Sequence, residues 1–359
     1  MHYKQIDGFR FFAVIAVIFH HIFVSEILDY FPFGLFGVNV FFVISGFLIT
    51  EILLREKLNN IPYKQIFKTF FLRRTLRIFP LYYLYILICL ILVPQITFEY
   101  INWLLSYSIN FWITINNKLA FWYFTHLWSL GVEEQFYIFW PFLIIFIPLK
   151  RIKHFLVLLI LFSVFLRISN TFFIENFKLF NYTMLFTSLD CFAAGALLAY
   201  LKTFELNKLI NFLKNKYLII IALVIFILNN KFGNIFSQEA FSRSLNAFIA
   251  FYLVGIASIL EFKGIFKIVL ENKIIMYFGK ISYGIYIYHL LIWGLFGKYL
   301  FQLFESFNFN FITSDSLIFK FIMFIYISII TILVSSLSFE IFEKRVLSLR
   351  KYFVYQKQN

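Results

Sequence analysis

Residues 7–21 read DGFRFFAVIAVIFHH, where Arg10 opens a hydrophobic run that closes with His20 and His21. Placing an Arg side chain at the centre of a bilayer costs roughly 2.5 to 3.5 kcal/mol on insertion scales, so an Arg in such a segment marks a candidate functional site. At about 100° and 1.5 Å per residue, Arg10 and His21 share nearly one helix face and lie about 16 Å apart along the axis. The stretch therefore predicts a membrane helix with Arg10 near one surface and His21 near the bilayer middle.

Hydrophobic residues make up 62% of the 359-residue chain and charged residues only 14%, a balance outside that of soluble globular domains. We expect an all-α, polytopic transmembrane bundle of about ten spans. Apolar stretches that span a bilayer, or nearly do, occur at residues 9–28, 35–54, 78–93, 136–149, 155–170, 183–201, 217–228, 245–260, 281–304 and 316–339. Asparagines interrupt a further apolar segment, 100–115, which predicts a re-entrant or interfacial piece.

The basic residues predict the topology. If the N-terminus is inside, 24 of the 32 Lys and Arg residues fall in cytoplasmic segments and only four in outer loops. Because Lys and Arg collect in cytoplasmic loops, this distribution predicts an N-in, C-in protein with an even number of spans. The net charge of +14 then mostly reflects the basic residues of the cytoplasmic segments, and no nucleic-acid partner is expected. We expect a single membrane domain over residues 1–359, with no appended soluble domain.

The sequence FLRRTLRIFP, residues 71–80, contains Arg73, Arg74 and Arg77. Arg74 and Arg77 are three residues apart and project from one face of a helix. One interpretation is an anchor at the cytoplasmic surface. The other is a phosphate clamp, because guanidinium groups make bidentate contacts with phosphate. The spacing is compatible with both.

The second predicted span contains GVNVFFVISGFLIT, residues 37–50, in which Asn39 and Ser45 are polar. Small residues let membrane helices approach closely, so Gly46 predicts a packing point. Asn39 is a candidate for substrate contact or for a hydrogen bond between helices.

The sequence HLWSLGVEEQFYIFWP, residues 126–141, places Glu133 and Glu134 at the outer start of the fourth predicted span. There they complement the positive end of the helix dipole. Consecutive residues diverge by about 100°, so one carboxylate can also face the bundle and form an acid/base or orienting pair with a histidine. Tyr137 lies one turn after Glu133, on the same face.

Two further clusters carry polar groups into apolar segments. Arg167 ends the fifth predicted span and Asp190 begins the sixth, and we favour an ion pair between them over a polar cavity. In ISYGIYIYHLLIW, residues 281–293, Ser282, Tyr286 and His289 form a polar stripe at helical spacing. We favour an ordinary hydrogen-bonded role for His289. No HExxH, CxxC, P-loop or GxSxG motif is present, so no metal site is expected.

Taken together, DGFRFFAVIAVIFHH, GVNVFFVISGFLIT, RRTLRIFP, HLWSLGVEEQFY and ISYGIYIYH resemble, in order, the motifs of the integral-membrane acyltransferase 3 family, which O-acylates bacterial cell-surface sugars. The resemblance covers essentially the whole chain and supplies the family's basic residue and histidine as Arg10 and His21. Asn39 stands where the family often has Asp. Ser188 stands where an Arg often precedes the Leu-Asp of the sixth span, so a salt bridge there must be rebuilt, with Arg167 as the candidate.

The resemblance implies a bacterial inner-membrane (cytoplasmic-membrane) enzyme whose donor is acetyl-CoA or another acyl-CoA and whose acceptor is a carbohydrate or lipid-linked glycan. Arg73, Arg74 and Arg77 would hold the phosphates of CoA. His21 would act as general base or transient acyl carrier, with Glu133 orienting it or relaying the proton.

Arg10 would then lie at the inner mouth of the cavity, and Asn39, Tyr137, Asp190 and His289 are the candidate substrate contacts. A transporter or flippase of an anionic or lipid-linked glycan stays open as the alternative, because it also explains an Arg and a His inside the membrane. Such a protein would leave its substrate chemically unchanged and would need no CoA.

Overall fold

The structure is a computed structural model that describes residues 3–23, 32–175, 177–306 and 316–355, and every regular element in these ranges is helical. The α-helices are α1 Lys4–Ile22, α2 Phe33–Leu58, α3 Tyr63–Leu92, α4 Pro94–Leu105, α5 Ile109–Asn116, α6 Trp122–Thr125, α7 Trp128–Phe146, α8 Leu149–Phe173, α9 Phe177–Thr183, α10 Leu189–Phe204, α11 Leu206–Lys214, α12 Tyr217–Phe232, α13 Ile235–Gly255, α14 Gly264–Leu270, α15 Lys273–Lys280, α16 Ser282–Ser306, α17 Leu317–Ser338 and α18 Lys344–Ser348. Single π turns extend α13 and α17, and a 3₁₀ turn, Leu349–Tyr352, follows α18.

Six of the described helices are long and apolar enough to cross a membrane, and two bent helix pairs raise that number to eight. The bent pairs join α9 to α10 at 68° and α11 to α12 at 63°. The all-α, multi-pass architecture is therefore confirmed, with six to eight candidate spans in the described residues where ten were predicted. The N-in, C-in orientation stays a prediction, and residues 24–28 of the first predicted span lie outside the described residues.

The fourth predicted span, 136–149, begins too late. Helix α7 starts at Trp128, so Glu133 and Glu134 lie inside the helix and not at its start. The three polar residues at 133–135 interrupt the apolar pattern from which the start of the span was predicted. In the structure neighbouring helices partly cover them, and all three are half-buried. The segment 100–115, which was predicted to be re-entrant or interfacial, is not one continuous helix. It is divided between the short helices α4 and α5.

Helices α2 and α10 cross at the centre of the bundle, where two glycines bring their backbones together. A Cβ atom on Gly46 would overlap the backbone carbonyl of Phe192, and one on Gly195 would overlap that of Val43. The predicted packing point at Gly46 is thus confirmed. The Phe192 ring stacks on Phe42 at 4.5 Å and on Phe136 at 4.1 Å between centroids, which adds α7 to this centre.

Helix α1 is held near its start and at its middle by similarly close contacts. Gly37 of α2 leaves room for the carbonyl of Ala13, and Gly279 of α15 leaves room for the carbonyl of Asp7. Replacing either glycine would push the helices apart. This packing holds α1, with Arg10 and His21, inside the bundle.

Candidate active site

Three histidines, two on helices and one between helices, meet in the bundle. Nε2 of His289 on α16 lies 3.1 Å from Nδ1 of His21 on α1. His126, just before α7, packs its ring against that of His289 with 4.9 Å between centroids. Its Nε2 lies 3.0 Å from the carbonyl oxygen of Ile287. The sequence reasoning missed His126, although it is the first residue of the HLWSLG motif.

The hydrogen bonds of His289 determine which nitrogen of His21 is basic. Nδ1 of His289 lies 2.6 Å from the carbonyl oxygen of Tyr286, which can only accept, so this nitrogen carries the hydrogen. In a neutral imidazole the other nitrogen, Nε2, is then an acceptor, and Nδ1 of His21 must donate to it. Nε2 of His21 is left with a free lone pair. The arrangement therefore prepares His21 to act as a base through Nε2.

A pocket between α1, α2, α3, α7 and α16, here called the central pocket, has an empty volume of about 740 Å³. Arg10, Ser45, Glu133, Tyr137 and Tyr286 are among the residues that line it. The hydroxyl of Ser45 donates to Oε1 of Glu133 at 2.8 Å. Nη1 of Arg10 donates to Oδ1 of Asp7 at 3.0 Å, so the predicted residue at the inner mouth is held by an ion pair on its own helix.

The predicted pairing of Glu133 with His21 is not a direct contact in the structure, and its role in the reaction stays a prediction. Glu133 is bonded to Ser45 and lines the central pocket, whereas His21 is bonded to His289 and lines a different pocket. The early start of α7 explains the difference, because it places Glu133 more than one turn into the helix while His126 lies at the level of His21. The structure thus gives His21 an imidazole partner in place of a carboxylate.

A second pocket, the basic pocket, has an empty volume of about 920 Å³. It brings together all three predicted phosphate-binding residues, Arg73, Arg74 and Arg77, and adds Arg55 and Arg350. Leu48, Arg74 and Arg77 line both this pocket and the central pocket. The two pockets are therefore neighbours with a common wall.

A third pocket has an empty volume of about 1500 Å³ and is lined by both apolar and polar side chains. It is called the outer pocket because the topology prediction places it toward the outer side. Val38 and Tyr286 line both it and the central pocket. Its polar lining consists of His20, His21, Thr125, His126, Arg167, Lys178, Asn181, Tyr182, Asn230, Gln238, Glu239, Ser242, Arg243 and Tyr286. Shared walls thus arrange the basic, central and outer pockets in series.

Arg167 and Asp190 form the predicted ion pair, with Nη2 and Oδ2 2.8 Å apart and both side chains buried. Ser244 also donates to Oδ2 at 2.7 Å, and the backbone N–H of Cys191 donates to Oδ1 at 3.0 Å. Both carboxylate oxygens are engaged by the protein, so we assign Asp190 to this pair and not to the substrate. The pair replaces the salt bridge that Ser188 cannot make.

Arg243 is a buried cation that the sequence reasoning assigned to an outer loop. Helix α13 begins ten residues before the predicted span 245–260, which places Arg243 inside the helix. Its Nη1 donates to the hydroxyl of Ser188 at 2.8 Å and to the carbonyl of Asn181 at 2.8 Å. Arg243 therefore lies beside Ser188, the position at which the family often has an Arg before the Leu-Asp of the sixth span.

Two predicted substrate contacts have different surroundings. Tyr137 lines the central pocket, and its hydroxyl lies 3.4 Å from that of Ser45. Asn39 is 0% exposed and lines none of the three pockets, and neither of its side-chain polar atoms has a hydrogen-bond partner in the described structure. The structure thus brings Tyr137, but not Asn39, to a cavity. Across the described ranges, no group of three or more His, Cys, Asp and Glu side chains is placed to hold a metal ion.

Comparison with known proteins agrees with this architecture. Residues 3–340 match the family model described as an acyltransferase domain, so the chain belongs to this acyltransferase family. A Staphylococcus aureus (strain COL) protein named "Putative O-acetyltransferase" is 27% identical over 317 residues, which are 80% of this chain and 50% of that protein. The peptidoglycan O-acetyltransferase of Listeria monocytogenes is 38% identical over 168 residues, 42% of this chain and 25% of its own length.

A Bacillus subtilis protein named "Putative peptidoglycan O-acetyltransferase" is 38% identical over 152 residues, 38% of this chain and 23% of its own length. The chain thus spans at most about half the length of these curated relatives. No solved structure matches the chain.

Proposed function

We propose that the protein is a membrane O-acetyltransferase that moves an acetyl group from acetyl-CoA to a hydroxyl of a cell-surface or lipid-linked carbohydrate. The observation that carries this proposal is the series of basic, central and outer pockets, with His21, the partner of His289, lining the outer pocket. A two-substrate transfer needs an anionic donor at one end and a polyhydroxyl acceptor at the other. The pockets differ in that way.

The donor end is the basic pocket. CoA carries a pyrophosphate and a 3′-phosphate, and guanidinium groups bind phosphate through paired N–H donors. The charge-based topology prediction places Arg73, Arg74 and Arg77 on the cytoplasmic side, where acyl-CoA is made. The pantetheine arm would pass the wall shared by Arg74 and Arg77 and bring the thioester into the central pocket.

The acceptor end is the outer pocket, whose hydroxyl, amide and charged side chains suit a carbohydrate. The names of the Listeria monocytogenes and Bacillus subtilis relatives support a peptidoglycan sugar as the first acceptor to test. The proposed location is the bacterial cytoplasmic membrane, with the acceptor reached from the outer side.

In the proposed reaction, Nε2 of His21 takes the proton of the acceptor hydroxyl while the oxygen attacks the thioester carbonyl. The new C–O bond forms, the C–S bond breaks, and the proton passes from His21 to the CoA thiolate. His289 holds His21 in the reactive tautomer throughout. If His21 instead carries the acetyl group transiently, the same free Nε2 is the nucleophile.

The test compares cell-surface glycans by mass spectrometry in strains with the gene deleted, restored, and restored as His21→Ala, with immunoblots showing equal protein in the membrane. The proposal predicts that a discrete acetyl mass of 42 Da per modified sugar, set by the chemistry of acetylation, is lost on deletion and regained only with the native gene. A transporter would leave the acylation pattern intact and remove the glycan from the surface. That result would replace the present proposal.

A further inference from the structure

We infer that Arg350, in the turn that follows the last helix, binds the 3′-phosphate of the CoA donor, so that the C-terminal segment forms part of the donor site. The inference rests on the proposed function for the identity of the donor. It adds to that function a residue and a recognition step that neither the sequence motifs nor the relatives assign.

The first argument is the charge balance of the basic pocket. Of its five arginines, only Arg55 has a carboxylate partner within 4 Å in the described residues, namely Glu56 at 2.7 Å. Glu51 also lines the pocket, but it is held by Lys202 at 2.8 Å. Arginines gathered without carboxylates repel one another, so the cluster is stable chiefly when a polyanion occupies it.

The second argument is an unused donor. Nε of Arg350 is buried and has no hydrogen-bond partner among the described residues. A buried donor without a partner loses its hydration and gains nothing in return. A shift of the Arg350 side chain toward a phosphate in the basic pocket would give this nitrogen the missing acceptor. Tyr355, the last described residue, also lines this pocket.

The third argument is the order of the arginines along the series of pockets. Arg74 and Arg77 line both the basic and the central pocket, whereas Arg55, Arg73 and Arg350 line the basic pocket alone. Arg55 already has a carboxylate partner in Glu56. In CoA the thioester is followed by the pantetheine arm, the pyrophosphate and then the ribose 3′-phosphate. With the thioester in the central pocket, Arg74 and Arg77 meet the pyrophosphate. We assign the 3′-phosphate, the last anionic group of the donor, to Arg350, because it lines the basic pocket alone and carries the unused donor.

The experiment measures binding of CoA and of 3′-dephospho-CoA by isothermal titration calorimetry to the whole protein in zwitterionic lipid nanodiscs. We expect the native protein to prefer CoA, and Arg350→Ala to weaken CoA binding about tenfold, the loss of one charge-assisted contact, while binding of 3′-dephospho-CoA stays unchanged. Unchanged binding of 3′-dephospho-CoA also shows that the variant is folded. Lys351→Ala removes an exposed cation from the neighbouring position and should change neither affinity.

Arg77→Ala provides the contrast, because loss of a pyrophosphate contact should weaken both ligands equally. If Arg350→Ala binds both ligands like the native protein, the inference is wrong while the proposed donor stands. If the native protein binds neither ligand, the proposed donor fails as well. A repeat in nanodiscs containing phosphatidylglycerol separates CoA from a lipid headgroup. An Arg350→Ala effect on lipid retention with no effect on CoA selectivity would assign the site to lipid and overturn the inference.

Discussion

His289 and His21 are joined by a hydrogen bond of 3.1 Å between Nε2 and Nδ1, although they lie 268 residues apart in the chain. The bond connects α16, late in the chain, to α1, the first described helix. Because the carbonyl of Tyr286 occupies the other nitrogen of His289, the bond also fixes the tautomer of His21. Under the proposed function, His289 is a positioning residue, which acts on the reaction only through His21.

Replacing His289 by Ala should lower kcat by roughly a hundredfold or more, because a catalytic histidine without its orienting partner samples the unreactive tautomer. The KM for the donor should change little, since His289 lines neither the basic nor the central pocket. Steady-state kinetics of acetyl transfer in nanodiscs measures both constants. His154→Ala, at an exposed histidine, is the matched control and should behave like the native protein. A change confined to KM would contradict the positioning role.

Glu133→Gln tests whether this carboxylate acts on His21. The amide oxygen of Gln can still accept the hydrogen bond from Ser45, so the fold should persist. We expect the pH dependence of kcat to keep its shape, because no contact joins Glu133 to His21. The KM for acetyl-CoA should change a few-fold, since a charge beside Arg74 and Arg77 is lost. A displaced pH profile would restore the pairing predicted from the sequence.

The buried pair of Arg167 and Asp190 should dominate the stability of the α8–α10 contact. Asp190→Asn leaves the guanidinium without its counterion and should cost about 3 to 5 kcal/mol of unfolding free energy. Thermal unfolding in detergent, followed by circular dichroism, measures the loss. The control is Lys344→Met, which breaks an exposed ion pair with Glu340 and should leave the stability nearly unchanged. Equal losses in the two variants would show that burial of the pair is unimportant.

Gly195→Val should prevent normal assembly of the bundle, because its side chain would occupy the space of the Val43 carbonyl on α2. The yield of monodisperse protein on size-exclusion chromatography reports assembly. Gly284→Ala is the control, since its Cβ would meet its nearest neighbour, Cβ of Ser335, at 3.3 Å and the helices need shift little. Native yield from Gly195→Val would mean that α2 and α10 are farther apart than the structure shows.

The residue relationships that could be predicted from the sequence join residues of a single helix, or charged residues that have only one available partner. Arg10 and His21 share a helix, so helical periodicity was enough to relate them. The ion pair of Arg167 and Asp190 could be predicted because two opposite charges in apolar segments have few other partners. The His21–His289 bond depends on how α1 and α16 pack, which no local pattern encodes. Glu133 was misplaced for a local reason, because three polar residues concealed the start of α7.

The most direct test of the central claim uses purified protein in nanodiscs with acetyl-CoA labelled in the acetyl group and a soluble peptidoglycan fragment as acceptor. The account predicts that label appears in ester linkage on the glycan with the native protein. It predicts a rate at least about a hundredfold lower with His21→Ala, the contribution expected of a general base. Label on the glycan at the native rate with His21→Ala would contradict the account, because the base that the histidine pair prepares would then be dispensable.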